Sequence, residues 1–166
     1  MENKKIPAKL YLCATPIGNL EDITLRCLRI LRGAAAVYCE DTRNTLKIMN
    51  HFEIKKTLIS CHEHNEEQRA NEIAERVRGG EAIAFVSDAG MPGVSDPGSR
   101  LVRFFVENNL PFEVLPGANA VLTAWVMSGL PTESLYFCGF IPRSGAERSE
   151  AVERIKNSEA TVVIYE

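Results

Sequence analysis

A chain of 166 residues with a net charge of -3, 45% hydrophobic and 25% charged, has ordinary globular composition and length for one full domain and the start of another. It has no domain-wide positive field, so a nucleic-acid partner has to be met by a local patch. No run approaches the ~20 apolar residues of a membrane span, and Met1-Glu2-Asn3-Lys4-Lys5 is followed by no apolar signal-peptide core.

The 5 cysteines (Cys13, Cys27, Cys39, Cys61, Cys138) form no CxxC pair and sit mostly in apolar runs. Buried free thiols of a reducing compartment explain them better than a disulfide framework, and the expected location is cytoplasmic.

Leu10-Tyr11-Leu12-Cys13-Ala14-Thr15 is a nearly continuous apolar run, which predicts a strand covered on both faces. It breaks at Pro16-Ile17-Gly18-Asn19. A helix follows with Leu25, Leu28, Ile30 and Leu31 on its apolar side and Gly33 just past its end. Arg26, Arg29 and Arg32 recur on the other side, as a solvated face would have them.

Ala35 to Cys39 reads as a second strand running into Glu40-Asp41-Thr42-Arg43, with Thr42 capping a short helix through Met49. Thr57 to Ser60 is a third strand, ending in Cys61-His62-Glu63-His64-Asn65. Asn65 followed by Gln68 has the spacing of a capping box, and Ala70, Ile73, Ala74 and Val77 form the stripe of a helix stopped by Gly79-Gly80.

The apolar run ending at Asp88 predicts a fourth strand. It opens into a Gly- and Pro-rich loop to Gly98, with helix-start chemistry at Asp96-Pro97. Leu101, Val102 and Phe105 belong to that helix. Phe112 to Leu115 is a fifth strand, closed by Pro116-Gly117-Ala118-Asn119-Ala120. Val121 to Ser128 is apolar enough for a helix packed between layers.

This alternation predicts an α/β fold with a parallel, doubly wound sheet and its strand-end loops along one edge. The first domain is expected over residues 1–120. Residues 121–166 supply a linker helix and a second α/β unit of Leu135–Phe140, Ala146–Asn157 and Ala160–Glu166. One strand–helix–strand unit cannot bury a sheet on both faces, so the second domain is expected to be incomplete here.

Five polar loops thus share one edge and bring acids, histidines, an Arg and several glycines together, which makes a site by geometry. None has a phosphate-binding fingerprint: there is no G-x-x-x-x-G-K-[ST], and no G-x-G-x-x-G follows the first strand. His62 and His64 tempt one toward a metal, but a tetrahedral site needs further ligands and only His51 remains of the 3 histidines. No metal is expected. Glu40-Asp41 serves either as a general base pair or as the acids common near a helix start, and Arg43 either binds a phosphate or pairs with them.

Thr15-Pro16-Ile17-Gly18-Asn19-Leu20, Glu40-Asp41-Thr42-Arg43, His62-Glu63-His64-Asn65, Ser87 to Gly98, Ser128-Gly129-Leu130-Pro131 and Gly139-Phe140-Ile141-Pro142 follow one another in fixed order. In this the chain resembles the tetrapyrrole-methylase-like (class III) methyltransferases, and within them those acting on ribosomal RNA. The resemblance runs from about Leu10 to the last residue. It implies S-adenosylmethionine as methyl donor and, as acceptor, a cytidine 2′-hydroxyl in the decoding region of small-subunit ribosomal RNA, met in the assembled subunit. It also implies a homodimer, and two α/β domains with the donor in the cleft between them.

By position, the resemblance assigns donor binding to Pro16, Ile17, Gly18, Asp88, Ala89, Gly90, Val94, Ser95, Asn119 and Ala120. Met91 and Ala118-Asn119 depart from the family, where Thr and a Pro-Ser pair are more usual. The substrate hydroxyl has to lose a proton, for which Glu40 and Asp41 come first and His62 and His64 second. Arg43, Asn65 and Arg143 are the expected RNA contacts, since an acidic protein needs local cations to hold a polyanion. Two other readings share these residues: a methyltransferase for a tetrapyrrole or other small molecule, and a non-catalytic donor- or RNA-binding domain.

Overall fold

The computed structural model describes residues 6–166; the Met1–Lys5 segment read for targeting lies outside them. The chain divides into two compact units, one ending at Ala118 and the other spanning Asn119–Glu166.

The first unit is a five-stranded sheet flanked by helices. Its elements in order are β1 (Leu10–Cys13), α1 (Leu25–Gly33), β2 (Ala36–Cys39), α2 (Thr42–His51), β3 (Leu58–Ser60), α3 (Glu66–Arg78), β4 (Ile83–Val86), α4 (Ser99–Glu107) and β5 (Phe112–Leu115). The strands lie in the order β3-β2-β4-β1-β5, and every pair is parallel.

Side chains alternate across a strand, so each strand feeds two cores. Tyr11, Cys13, Val37, Cys39, Ala84 and Val86 point to one face, against Cys27, Leu28, Ile30 and Leu31 of α1 and Met49 of α2. Leu10, Leu12, Ala36, Tyr38, Ile83 and Phe85 point to the other, against Ala70, Ile73, Ala74 and Val77 of α3 and Leu101 and Phe105 of α4. Burial on both faces is why these strands lack an apolar–polar alternation. Each fully buried large side chain contributes roughly 1.5–3 kcal/mol.

The connections fix where a ligand can enter. From β1 the chain passes over one face through α1 to β2, then through α2 to β3. It returns over the other face through α3 to β4 and through α4 to β5. Neighbouring β1 and β4 therefore send their loops to opposite faces, which leaves the crevice of a doubly wound sheet between their carboxyl ends.

Five local expectations change. Leu25 stands 79% exposed at the start of α1, and Cys27 takes its place on the buried side; Gly33 is the last helical residue rather than the one beyond. Asp41, not Thr42, caps α2, its side chain accepting from the Arg43 N–H. Asn65 precedes α3 without a side-chain cap, so no capping box forms with Gln68. Helix α4 starts after Gly98, beyond the Asp96-Pro97 pair.

The second unit holds α5 (Ala120–Ser128), β6 (Leu135–Phe140), α6 (Gly145–Lys156) and β7 (Thr161–Tyr165), with β6 and β7 paired in parallel. Leu122, Val126 and Met127 of α5 are exposed, and of the helix only Val121 is fully buried. No helix among the described residues is long and apolar enough to cross a membrane.

Candidate active site at the carboxyl edge of the sheet

At the β1/β4 crevice the two outgoing loops pair with each other. Thr15 N–H donates to Gly90 O at 2.9 Å and Gly90 N–H to Thr15 O at 3.0 Å, while the buried Thr15 hydroxyl donates to Ser87 O at 3.3 Å. Gly90 has φ 77°, a conformation open to glycine at little cost. A Cβ there would meet Ile17 Cγ2 at 3.2 Å and Ala118 O at 3.8 Å. Gly90 is thus where the loops after β1, β4 and β5 converge. Gly18 has open space where a Cβ would stand, and Gly18, Ala89 and Ser95 are exposed.

Asp88 binds this group to the loop after β2. Its Oδ1 accepts from Asp41 N–H at 3.2 Å and its Oδ2 from Asn44 Nδ2 at 2.8 Å. Sequence reasoning missed Asn44, which stands two residues into α2 with no motif to mark it.

The acids here are not equivalent. The Arg43 guanidinium grips both oxygens of Asp41, with Nη2 to Oδ2 at 2.6 Å, and holds that carboxyl down at about 2. Burial, reinforced by the charge of Asp88, pushes Glu40 above the ordinary carboxylate value. Asp96 is raised too, by burial first, with the Asp88 charge adding and the Ser87 hydroxyl opposing. Glu40 and Asp96 therefore hold protons more readily than Asp41.

Beside them lies a cavity of about 490 Å³ lined by Glu40, His62, His64, Ser95, Asp96 and Arg100, among others. The His62 and His64 rings meet edge to face at 5.8 Å. His62 Nδ1 is buried with no hydrogen-bond partner, a state that buried polar atoms seldom keep without a ligand or water. Asn65 shapes this loop from within: its Oδ1 accepts from His62 N–H at 2.8 Å and its Nδ2 donates to Ser60 O at 3.3 Å. Among the described residues, no group of three His, Cys, Asp or Glu side chains is placed to hold a metal ion.

The remaining sequence candidates lie in the second unit. Asn119 caps α5, accepting from Leu122 N–H at 2.9 Å, with Ala120 as the first helical residue. Arg143 is exposed in the turn between β6 and α6. Pro16, Ile17, Gly18, Asp88, Ala89, Gly90, Val94 and Ser95 all fall on the two loops of the crevice, and Glu40, Asp41, His62 and His64 on the neighbouring strand ends.

A methyl donor of the sulfonium type is cationic, and this edge suits such a group. It presents Glu40, Asp88 and Asp96 beside two guanidinium groups, Arg43 engaged by Asp41 and Arg100 paired with Glu63 at 3.9 Å. Backbone at Gly18 adds hydrogen-bonding groups with no side chain in the way.

Comparison with known proteins agrees with this fold. The family model described as Tetrapyrrole (Corrin/Porphyrin) Methylases matches residues 9–166. A protein of Halalkalibacterium halodurans named Ribosomal RNA small subunit methyltransferase I is 49% identical over 157 residues, which is 95% of this chain and 54% of that protein. The chain spans about half the length of the first curated relatives it matches. Among solved structures, a diphthine synthase superposes with a TM-score of 0.74 at 16% identity, over 94% of this chain and 63% of that one. The uroporphyrin-III C-methyl transferase of Thermus thermophilus complexed with S-adenyl homocysteine gives 0.59 at 22%, over 81% and 60%. The chain belongs to the tetrapyrrole (corrin/porphyrin) methylase family.

Proposed function

We propose that this chain is the donor-binding part of an S-adenosylmethionine-dependent methyltransferase acting on the 2′-hydroxyl of a cytidine in the decoding region of small-subunit ribosomal RNA. The observation that supports this most is 49% identity, across 95% of the chain, to a relative named for small-subunit ribosomal RNA methylation. In this reading the whole protein works as a homodimer on the assembled small subunit.

When bound, S-adenosylmethionine supplies an electrophilic methyl group on a sulfonium. The chain's own residues do the rest. Pro16, Ile17 and Gly18 on one loop, and Asp88, Ala89, Gly90, Val94 and Ser95 on the other, bind the donor. Asn119 and Ala120 extend that set. Asp88 does so through its position, since its carboxylate fixes the β4 loop against α2. Holding donor and acceptor in line supplies most of the acceleration expected of such a site.

Glu40 accepts the proton leaving the ribose hydroxyl. Burial raises its affinity for a proton, whereas Asp41 is held near 2 by Arg43 and is a poor base. His62 and His64 line the same cavity and orient the acceptor. Arg43, whose side chain is 85% exposed, and Arg143 contact RNA phosphates, and Asn65 holds the His62 loop.

The test is a map of ribose 2′-O-methylation in small-subunit RNA from cells with and without the gene. Loss of one modified cytidine, restored by the gene, is the expected result. An unchanged map would refute the reading.

A further inference from the structure

Glu66 is 2% exposed, a rare state for a glutamate unless it is paired. Its partners are backbone groups of another element. Oε1 accepts from Gly98 N–H and from Leu101 N–H, each at 2.9 Å. These belong to the cap residue and the third residue of α4. The first N–H groups of a helix have no partner within it, and a cap side chain usually serves them.

Gly98 has no side chain to do so, and the fold allows none. Its φ is 125°, and a Cβ would meet Phe85 Cε1 at 3.1 Å and Gly93 N at 3.2 Å. The cap has to come from elsewhere, and α3 supplies it. The positive end of α4 is thereby used inside the protein rather than offered to a ligand.

This contact joins two walls of the 490 Å³ cavity. On one side Glu66 continues directly from Asn65, whose amide holds His62. On the other it fixes Gly98, where the loop bearing Ser95 and Asp96 ends, and that loop is braced further by Gly93 N–H to Pro97 O at 3.0 Å. No cap of α4 drawn from its own loop would tie the histidines to the Asp88–Gly98 segment.

We propose that Glu66 is a positioning residue of the methyl-transfer site, setting the histidine loop and the donor loop in register by capping α4 from α3. This rests on the reading of the Asp88–Ser95 segment as the donor loop. Glu66 touches no reacting group and acts through Gly98 and Leu101.

The test uses the full-length protein with Glu66→Gln, Glu66→Asp and, as a stability control, Val77→Ala on the buried side of α3. Affinity for S-adenosylhomocysteine is read by calorimetry and melting by circular dichroism. Glu66→Gln keeps an oxygen that accepts both N–H groups, so its affinity stays within about threefold of wild type. Glu66→Asp withdraws that oxygen by one methylene, and affinity falls at least tenfold. Val77→Ala lowers the melting temperature and leaves affinity unchanged. Wild-type affinity in Glu66→Asp, a tenfold loss in Glu66→Gln, or an equal loss in Val77→Ala would overturn the proposal. Should Glu66→Asp fail to fold, the Glu66→Gln result alone decides. A wild-type protein that does not bind at all would overturn the donor reading and this proposal with it, an outcome distinct from the others.

Discussion

Asp88 and Asn44 meet at 2.8 Å, Oδ2 to Nδ2, across two loops that the sequence separates by 44 positions. With the Asp41 N–H on its other oxygen, the Asp88 carboxylate spans the gap between the β4 and β2 strand ends. The residue proposed to set the donor loop is therefore also a strut. Asp88→Ala should weaken S-adenosylhomocysteine binding at least tenfold in calorimetry. It should also destabilise the fold by about 1 kcal/mol, because two partly buried donors lose their acceptor. Asn44→Ala removes only one side of the strut and should leave affinity within threefold. Unchanged affinity in Asp88→Ala would remove that residue from the site.

Glu40 makes a prediction with a definite sign. Its carboxyl is raised in the folded protein, so ionising it opposes folding. The stability its neutral form provides is complete below the ordinary carboxylate value near 4.5 and is lost as pH rises through the higher folded value. Glu40→Gln should therefore melt slightly higher than wild type at pH 7, with the difference closing below about pH 4. If Glu40 accepts the acceptor proton, the same variant should lose about 100-fold or more in turnover. A melting curve unmoved at pH 7 would contradict the assigned environment; full turnover would contradict the assigned role.

Arg43 distinguishes positioning of RNA from support of the fold. Arg43→Ala should weaken binding to small subunits and lower the salt slope by about one, with donor affinity intact. It should also release Asp41 from its value of about 2 toward the ordinary carboxylate range, measurable by NMR titration. Joint loss of RNA and donor binding would assign the Asp41–Arg43 pair to structure instead.

Much of this was legible in the sequence, for physical reasons that can be named. Runs such as Leu10–Cys13 and Ile83–Val86 are apolar without alternation because both faces are covered, and with helices alternating between the strands that pattern implies a doubly wound sheet. The start of α4 was not legible. Asp96-Pro97 has local cap chemistry, but the helix takes its cap from Glu66, 32 residues upstream of Gly98, a contact that only the fold creates. The Asn65–Gln68 spacing fails for a related reason: the Asn65 side chain is committed to His62 and Ser60. Asn44 was invisible because its partner, Asp88, lies on another strand end.

Two glycines hold the converging loops and differ in how they should respond. Gly90→Ala forces a Cβ into a positive-φ position 3.2 Å from Ile17, which should cost roughly 1–2 kcal/mol and loosen the Thr15–Gly90 pairing. At Gly117 a Cβ would stand 2.6 Å from the Ala14 Cβ, so the backbone itself has to shift. Gly117→Ala should therefore destabilise more than Gly90→Ala in urea unfolding. The reverse order would show that backbone conformation, rather than close approach, governs this corner.

Methyl transfer from S-adenosylmethionine to one ribose of small-subunit RNA is the proposed activity. It is tested most directly by incubating the full-length protein with methyl-labelled donor and small subunits lacking the modification, then locating the label. Label is expected at a single cytidine, resistant to alkaline cleavage as a 2′-O-methyl group is, and lost with Asp88→Ala. Label on a base, or none on small subunits while the protein binds donor, would contradict it.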